Sequence, residues 1–223
     1  MFFAQIVSSP KAICAGLVMA ALGVQSTWAC APRPDYYQPT NYELVGMADA
    51  IVVATATSGT PYESDTDTDP SVGFRVDSAL KGNPPKDFRT EWARVGKPLA
   101  SDPVDLAQTN EEWRSGLCIR SLFALNGKYV VFLSMRDGNI GQMGGLVGAR
   151  INEDYFGENS LWVRVIQAYL KVQSLKTKAE QISALEALLG EQRALPQTVE
   201  TEAFANDITV AINALKRPDG TKP

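Results

Sequence analysis

The 223-residue sequence predicts an α+β chain, a small and mostly antiparallel β domain followed by about three helices. Three observations predict it. "VGFRVDSALKG" (72–82) alternates Val72, Phe74 and Val76 with Arg75 and Asp77, the period of a half-buried strand. Asn126-Gly127 and Asp137-Gly138-Asn139 bracket the dense apolar run from Tyr129 to Met135, which reads as a central strand between tight turns. Beyond Asn159 the apolar residues recur at three- and four-residue intervals instead, so the period becomes helical.

Residues 1–29 read as a secretory signal peptide. Lys11 is followed by the apolar "ICAGLVMAALGV" (13–24), which is too short for a membrane span of ~20 residues, and then by the small and polar "QSTWA". Cleavage after Ala29, with Thr27 at −3, leaves Cys30 as the first mature residue. A second frame, Ala29-Cys30-Ala31, puts Pro32 just past the cut, where its ring fits poorly. Lipidation of Cys30 would want an aliphatic residue at −3 and a small one at −2, where Thr27 and Trp28 stand. Export to the periplasm or the medium is expected, a lipid-anchored form and a retained anchor being the alternatives.

The proline-rich "APRPDYYQPT" (31–40) is expected to be irregular. "NYELVGMADA" (41–50) reads as a short helix capped by Asn41, and "IVVATATS" (51–58) as a strand. An acidic tip, "GTPYESDTDTDPS", separates it from the strand at 72–82, and "DFRTEWARV" (87–95) offers a third. Residues 96–116 read as a long loop anchored by Trp113. "GQMGGLVGARIN" (141–152) supplies one more strand or an extended edge. In the helical part, Leu161, Val165, Ile166 and Tyr169 share a broad face. Thr177 to Glu180 has the capping-box pattern, with Ile182, Leu185, Leu188 and Leu189 leading to a stop at Gly190. Phe204, Ile208, Ile212 and Leu215 mark a last helix from about 198 to 216, and 217–223 is a frayed tail. These helices either pack on the β domain or form a small bundle.

Composition restricts the chemistry. The chain has 21 basic and 25 acidic residues, and of the basic ones only Lys11 lies in the leader, so the remainder is mildly acidic. Without a Lys/Arg cluster it is a poor candidate for nucleic acid or an anionic membrane, and no stretch after the leader approaches membrane length. There is no histidine, which excludes Ser-His-Asp and Cys-His catalysis and His-ligated zinc. Once Cys14 leaves with the leader, Cys30 and Cys118 remain, most simply as one disulfide in an oxidising compartment. Closing a loop on the order of ninety residues would stabilise by roughly 4 kcal/mol in the chain-entropy account. No P-loop or dinucleotide fingerprint is present, and no cofactor is expected.

A cysteine at the expected mature N-terminus followed by Ala31-Pro32, a helix running into "ADAIVVATATS", a strand ending in "LKG", and "GLCIRSLFALNGKYVVFLS" together resemble the netrin-like domain family. That family includes the N-terminal domain of tissue inhibitors of metalloproteinases (TIMP-like) and bacterial secreted relatives. The resemblance covers roughly residues 30–150 and implies a five-stranded OB-like (OB-fold) antiparallel barrel flanked by a short helix. In the family's inhibitors the first mature cysteine chelates a protease's zinc through its α-amine and carbonyl oxygen; an α-amine with a pKa of about 8 is a good ligand. The resemblance implies that role for Cys30, with Ala31 entering the specificity pocket. The inhibitors begin Cys-x-Cys, however, and here one N-terminal cysteine stands alone. Cys30 suits the family's second cysteine and Cys118 the partner of its first, so both alignments stay open.

Other candidates are weighed against plainer readings. Asp65, Asp67 and Asp69 have the alternate spacing of a calcium loop, but Pro70 and Val76 stand where Gly and Glu belong, and a solvated acidic tip is the default. Asp105, Glu111 and Glu112 could supply a carboxylate pair for acid/base work, but a solvated loop is the default. Trp92, Trp113 and Trp162 read as core or interface residues, with a ligand-binding aromatic face as the alternative. The sequence thus predicts a signal peptide (1–29), a netrin-like domain (30–157), a helical extension (158–216) and a tail (217–223). The expected function is non-enzymatic protein binding with an unidentified partner. The alternative is inhibition of an extracytoplasmic zinc metalloprotease, and a carboxylate-dependent hydrolase comes third.

Overall fold

A computed structural model of the protein describes residues 36–63, 69–108, 110, 112, 119–136, 139–144 and 146–218. The first helix forms as α1 (Asn41–Met47), but its cap is Thr40 rather than Asn41. The Thr40 hydroxyl accepts from the Glu43 amide at 3.2 Å, and the Glu43 carboxylate accepts from the Thr40 amide at 2.8 Å. This reciprocal box satisfies two of the helix's orphan donors and leaves Asn41 free to reach elsewhere.

The strands are β1 (Ala50–Gly59), β2 (Ser71–Lys81), β3 (Asp87–Glu91), β4 (Arg94–Val95), β5 (Leu122–Phe123), β6 (Lys128–Arg136), β7 (Asn139–Gln142) and β8 (Asn152–Asp154). Six of them make a mostly antiparallel sheet in the order β3-β2-β1-β6-β7, with β8 also on β6. The sheet is not closed by hydrogen bonds, and it has six strands rather than five. The parallel pair β4 and β5 stands apart. The expected third strand at 87–95 breaks at Trp92, whose φ of 58° lies in the left-handed region. Gly82, at φ 73°, ends β2: a Cβ there would lie 2.2 Å from the Asp49 carbonyl oxygen, so only glycine fits.

Both faces of the sheet are buried, which is why β1 and β6 read as continuous apolar runs. In β1, Ala50, Val52, Ala54 and Ala56 point to one face, where they meet Val72, Phe74, Phe88, Phe123, Tyr129, Val131 and Leu133. Phe74 lies 5.1 Å from both Phe88, which it stacks on, and Phe123, which it meets edge-on. Ile51, Val130 and Phe132 point to the other face, against the helices.

The helices are α2 (Leu161–Gln173), α3 (Lys178–Ala194) and α4 (Val199–Lys216). Leu161, Trp162, Val165, Ile166 and Tyr169 of α2 join Tyr42, Leu44 and Val45 of α1, Ile51 and Phe132 of the sheet, and Phe204, Ile208 and Ile212 of α4 in one core. Trp162 stacks on Phe132 at 5.8 Å. The helices therefore pack on the sheet. Gly190 does not stop α3, which continues to Ala194 and ends at Leu195, extended at ψ 159° because the next residue is Pro196. Among the described residues no helix is long and apolar enough to cross a membrane.

Candidate functional site: a groove beside helix α4

An amphipathic helix buries one stripe and leaves another to solvent. In α4 the buried stripe is Phe204, Ile208, Ala211 and Ile212. A second stripe, Val199, Ala203, Asn206 and Val210, lines a groove of about 630 Å³. Val199 is 66% exposed and Val210 49%, so the two ends of this stripe stand open, while Ala203 between them also packs against the core. The opposite wall is the loop at 102–107, which supplies Val104, Leu106 and Ala107, and residues 38–41 close one side.

The wall opposite α4 is built from its own carboxylates. Asp102 Oδ1 accepts from the amides of Val104 (2.9 Å) and Asp105 (3.2 Å), and Asp105 Oδ1 from those of Ala107 (2.8 Å) and Gln108 (3.1 Å). Behind it, the buried Arg150 donates to the carbonyls of Asp105 and Gln108, lies 5.2 Å over the Trp162 ring and pairs with Glu153 at 3.5 Å. Further along, Glu112 accepts from the amides of Ser121 (2.9 Å) and Leu122 (3.0 Å), and Arg120 bridges Leu99, Asn152 and Asp154. Four buried charged residues thus hold the segment that the sequence marks as solvated.

Asp207 forms the floor of the groove. Its Oδ1 accepts from Asn41 Nδ2 at 2.7 Å and its Oδ2 from the Tyr169 hydroxyl at 2.5 Å. Asn41 also donates to the Leu106 carbonyl at 3.0 Å, joining α1, α4 and the loop at one point. Burial pushes the Asp207 carboxyl up to about 6, against the opposing pull of the Tyr169 and Asn41 hydrogen bonds and of Arg150. Burial, followed by the nearby Asp207 charge, also raises the Tyr169 hydroxyl well above its ordinary value. A half-buried carboxylate with a raised pKa in a partly apolar cleft makes this groove the candidate functional site.

Among the described residues the groove is acidic. Its lining holds Asp102, Asp105, Glu202 and Asp207 and no Lys or Arg. Its one hydroxyl, Thr40, is committed to the α1 cap. Among the described residues no group of three or more His, Cys, Asp or Glu is placed to hold a metal ion.

The candidates read from sequence fall elsewhere. Ala29, Cys30, Ala31, Asp65, Asp67, Glu111, Trp113 and Cys118 lie outside the described residues. Asp69 is exposed at the bend before β2. Glu112 is buried and accepts from the backbone amides of Ser121 and Leu122. Asp105 does reach the groove. Trp162 is core, whereas Trp92 is 68% exposed, beside Asp69, Arg89 and Glu91. Since a left-handed backbone is costly for any residue with a Cβ, Trp92→Gly is expected to raise stability by about 0.5–1 kcal/mol in chemical denaturation. A loss instead would show that the ring contributes packing.

Asp207 itself was not singled out by sequence. The available signal is its position: with Phe204 and Ala211 it falls at three- and four-residue spacing beside the inward stripe of α4, where an acidic residue is unexpected. Comparison with family models, with curated proteins and with solved structures finds no match to this chain.

Proposed function

We propose that the protein is an exported, non-enzymatic binding module, built on a partly open OB-like barrel and clamped by a disulfide between Cys30 and Cys118. The barrel reading is supported by strand order: rolling β3-β2-β1-β6-β7 brings the two edges together, and β3 and β7 do approach each other in space. The binding reading rests on one observation, the open groove beside α4 with the desolvated Asp207 as its floor.

Peptide-display selection tests it, run in parallel on the full mature protein and on the double variant Val199→Glu/Val210→Glu. Both valines are exposed, so the substitutions leave the core alone. Sequences enriched on the wild type should fail to bind the variant. No enrichment, or enrichment that survives the substitutions, overturns the reading.

A second reading is inhibition of a zinc metalloprotease through the Cys30 amine. It is favoured by how firmly residues 36–38, a few positions beyond that cysteine, are held. The Tyr36 hydroxyl donates to the Val147 carbonyl at 2.9 Å, Gln38 donates to Gly148 at 2.7 Å, and Arg217 donates to the Tyr37 hydroxyl at 2.7 Å while lying over its ring. A rigid exit would present the N-terminus at low entropic cost. Intact mass and N-terminal sequencing of the exported protein, with and without reduction, should find a free Cys30 and a mass two protons lighter before reduction. A lipidated, blocked or differently cut N-terminus removes this reading.

A further inference from the structure

We infer that the groove takes a lysine side chain from an extended, otherwise apolar polypeptide segment, seating the ammonium on Asp207 and the flanking apolar residues on the α4 stripe. The inference rests on the binding-module reading and adds the identity of the partner.

Charge complementarity sets the sign. Asp207 and Glu202 on α4 and Asp102 and Asp105 on the facing loop line the groove, with no cation among the described lining residues to neutralise them. The cation that acts on Asp207 is Arg150, and its guanidinium is occupied behind the loop by two carbonyls and Glu153. An anionic ligand would meet four carboxylates; a neutral apolar one would bury Asp207 further without a counter-charge.

The floor selects ammonium over guanidinium. Each Asp207 oxygen already accepts one hydrogen bond, from Asn41 and from Tyr169. Each oxygen keeps one further lone-pair site, and a compact ammonium with three rotatable donors needs only one of them, whereas a bidentate guanidinium fork needs both, aligned in parallel.

The walls select a polypeptide over a free amine. Val199 and Val210 are eleven residues apart on one helix, about 16 Å at a 1.5 Å rise per residue, which matches about five extended residues at 3.3 Å each. A small diamine would leave that stripe uncovered. Lysine also has an aliphatic stem that can lie along Ala203 and Leu106 on its way to the floor.

The test uses the full mature protein and heptapeptide pools with a fixed central residue and flanks drawn from alanine, valine and leucine, read by fluorescence polarisation. The central residue is lysine, arginine or norleucine. Lysine should bind at least about tenfold tighter than norleucine near neutral pH. That preference should vanish in Asp207→Asn and fade as pH drops through about 6, where Asp207 takes up its proton. The groups facing Asp207 are Tyr169 from α2, Asn41 from α1, Arg150 from the segment before β8, and the three other groove carboxylates. Burial holds the Tyr169 hydroxyl well above its ordinary value, so the midpoint reports carboxyl chemistry.

Equal binding of the norleucine pool overturns this inference but leaves the binding module standing. Equal or tighter binding of the arginine pool overturns the choice of ammonium. A lysine preference that persists in Asp207→Asn, with the variant's fold confirmed by thermal unfolding, places the cation elsewhere and also overturns it. Failure of every pool overturns it too, and the display selection then shows whether the binding module falls with it.

Discussion

Replacing Arg120 with alanine is expected to cost about 3–5 kcal/mol of stability, which lowers the melting temperature on the order of ten degrees for a chain this size. The side chain is almost wholly buried and faces the Tyr129 ring at 4.7 Å. Its guanidinium pairs with Asp154 at 3.0 Å and donates to the Leu99 carbonyl at 3.0 Å and the Leu122 carbonyl at 3.2 Å. Truncation strands these acceptors together and removes the cation from the aromatic face, so the loss combines unpaired polar groups with lost packing. A change of under about 1 kcal/mol in urea unfolding, the size of a surface ion pair, would mean that Arg120 is no strut.

The opposite sign is expected for Asp207→Asn. The folded state raises this carboxyl to about 6, above its ordinary value of 3.8, so the folded protein binds the proton more tightly than the unfolded chain does. Stability is then highest below about pH 4, falls as pH rises to about 6, and above that carries the full cost of an ionised carboxylate, roughly 3 kcal/mol. Asparagine has the same shape, keeps an acceptor for Asn41 and can turn its amide donor to the Tyr169 oxygen. The variant should be about 1–3 kcal/mol more stable than wild type at neutral pH and should lose the dependence between about pH 4 and 6. Parallel stability-pH curves for the two proteins would remove the cost attributed to Asp207. A residue that lowers stability while lining a groove is what a stability–function trade-off looks like.

The strong strands were legible because their signals were physical and local. Alternation placed β2, and apolar density placed β1 and β6, since two buried faces leave no room for polar residues. The break at Trp92 was not legible, because an aromatic residue gives no hint of a left-handed backbone. The α1 cap was misplaced by one residue although Thr40 and Glu43 carry the capping-box spacing; Asn41 was the more conspicuous cap former and has a different task. Gly190 attracted the end of α3 that Pro196 sets. The loop from 96 to 116 reads from its polarity as solvated, but Ser101, Asn110 and Glu112 are buried within it, and Arg120 just beyond it is buried too. Their polarity satisfies backbone groups of a chain that cannot pair with itself, a use that composition alone does not separate from solvent exposure. The groove was illegible for a similar reason: it joins residues 38–41, 102–107 and 199–210, which only the packing of α4 beside α1 brings together.

The most direct test of the account is the carbon-13 NMR titration of the Asp207 side-chain carboxyl in the intact protein. A midpoint near 6 is predicted, the signature of a carboxylate withheld from water at the floor of a groove and available to a cationic ligand. A midpoint at or below about 4, the ordinary aspartate range, would mark Asp207 as a solvated side chain and leave the groove without the feature on which its proposed function rests.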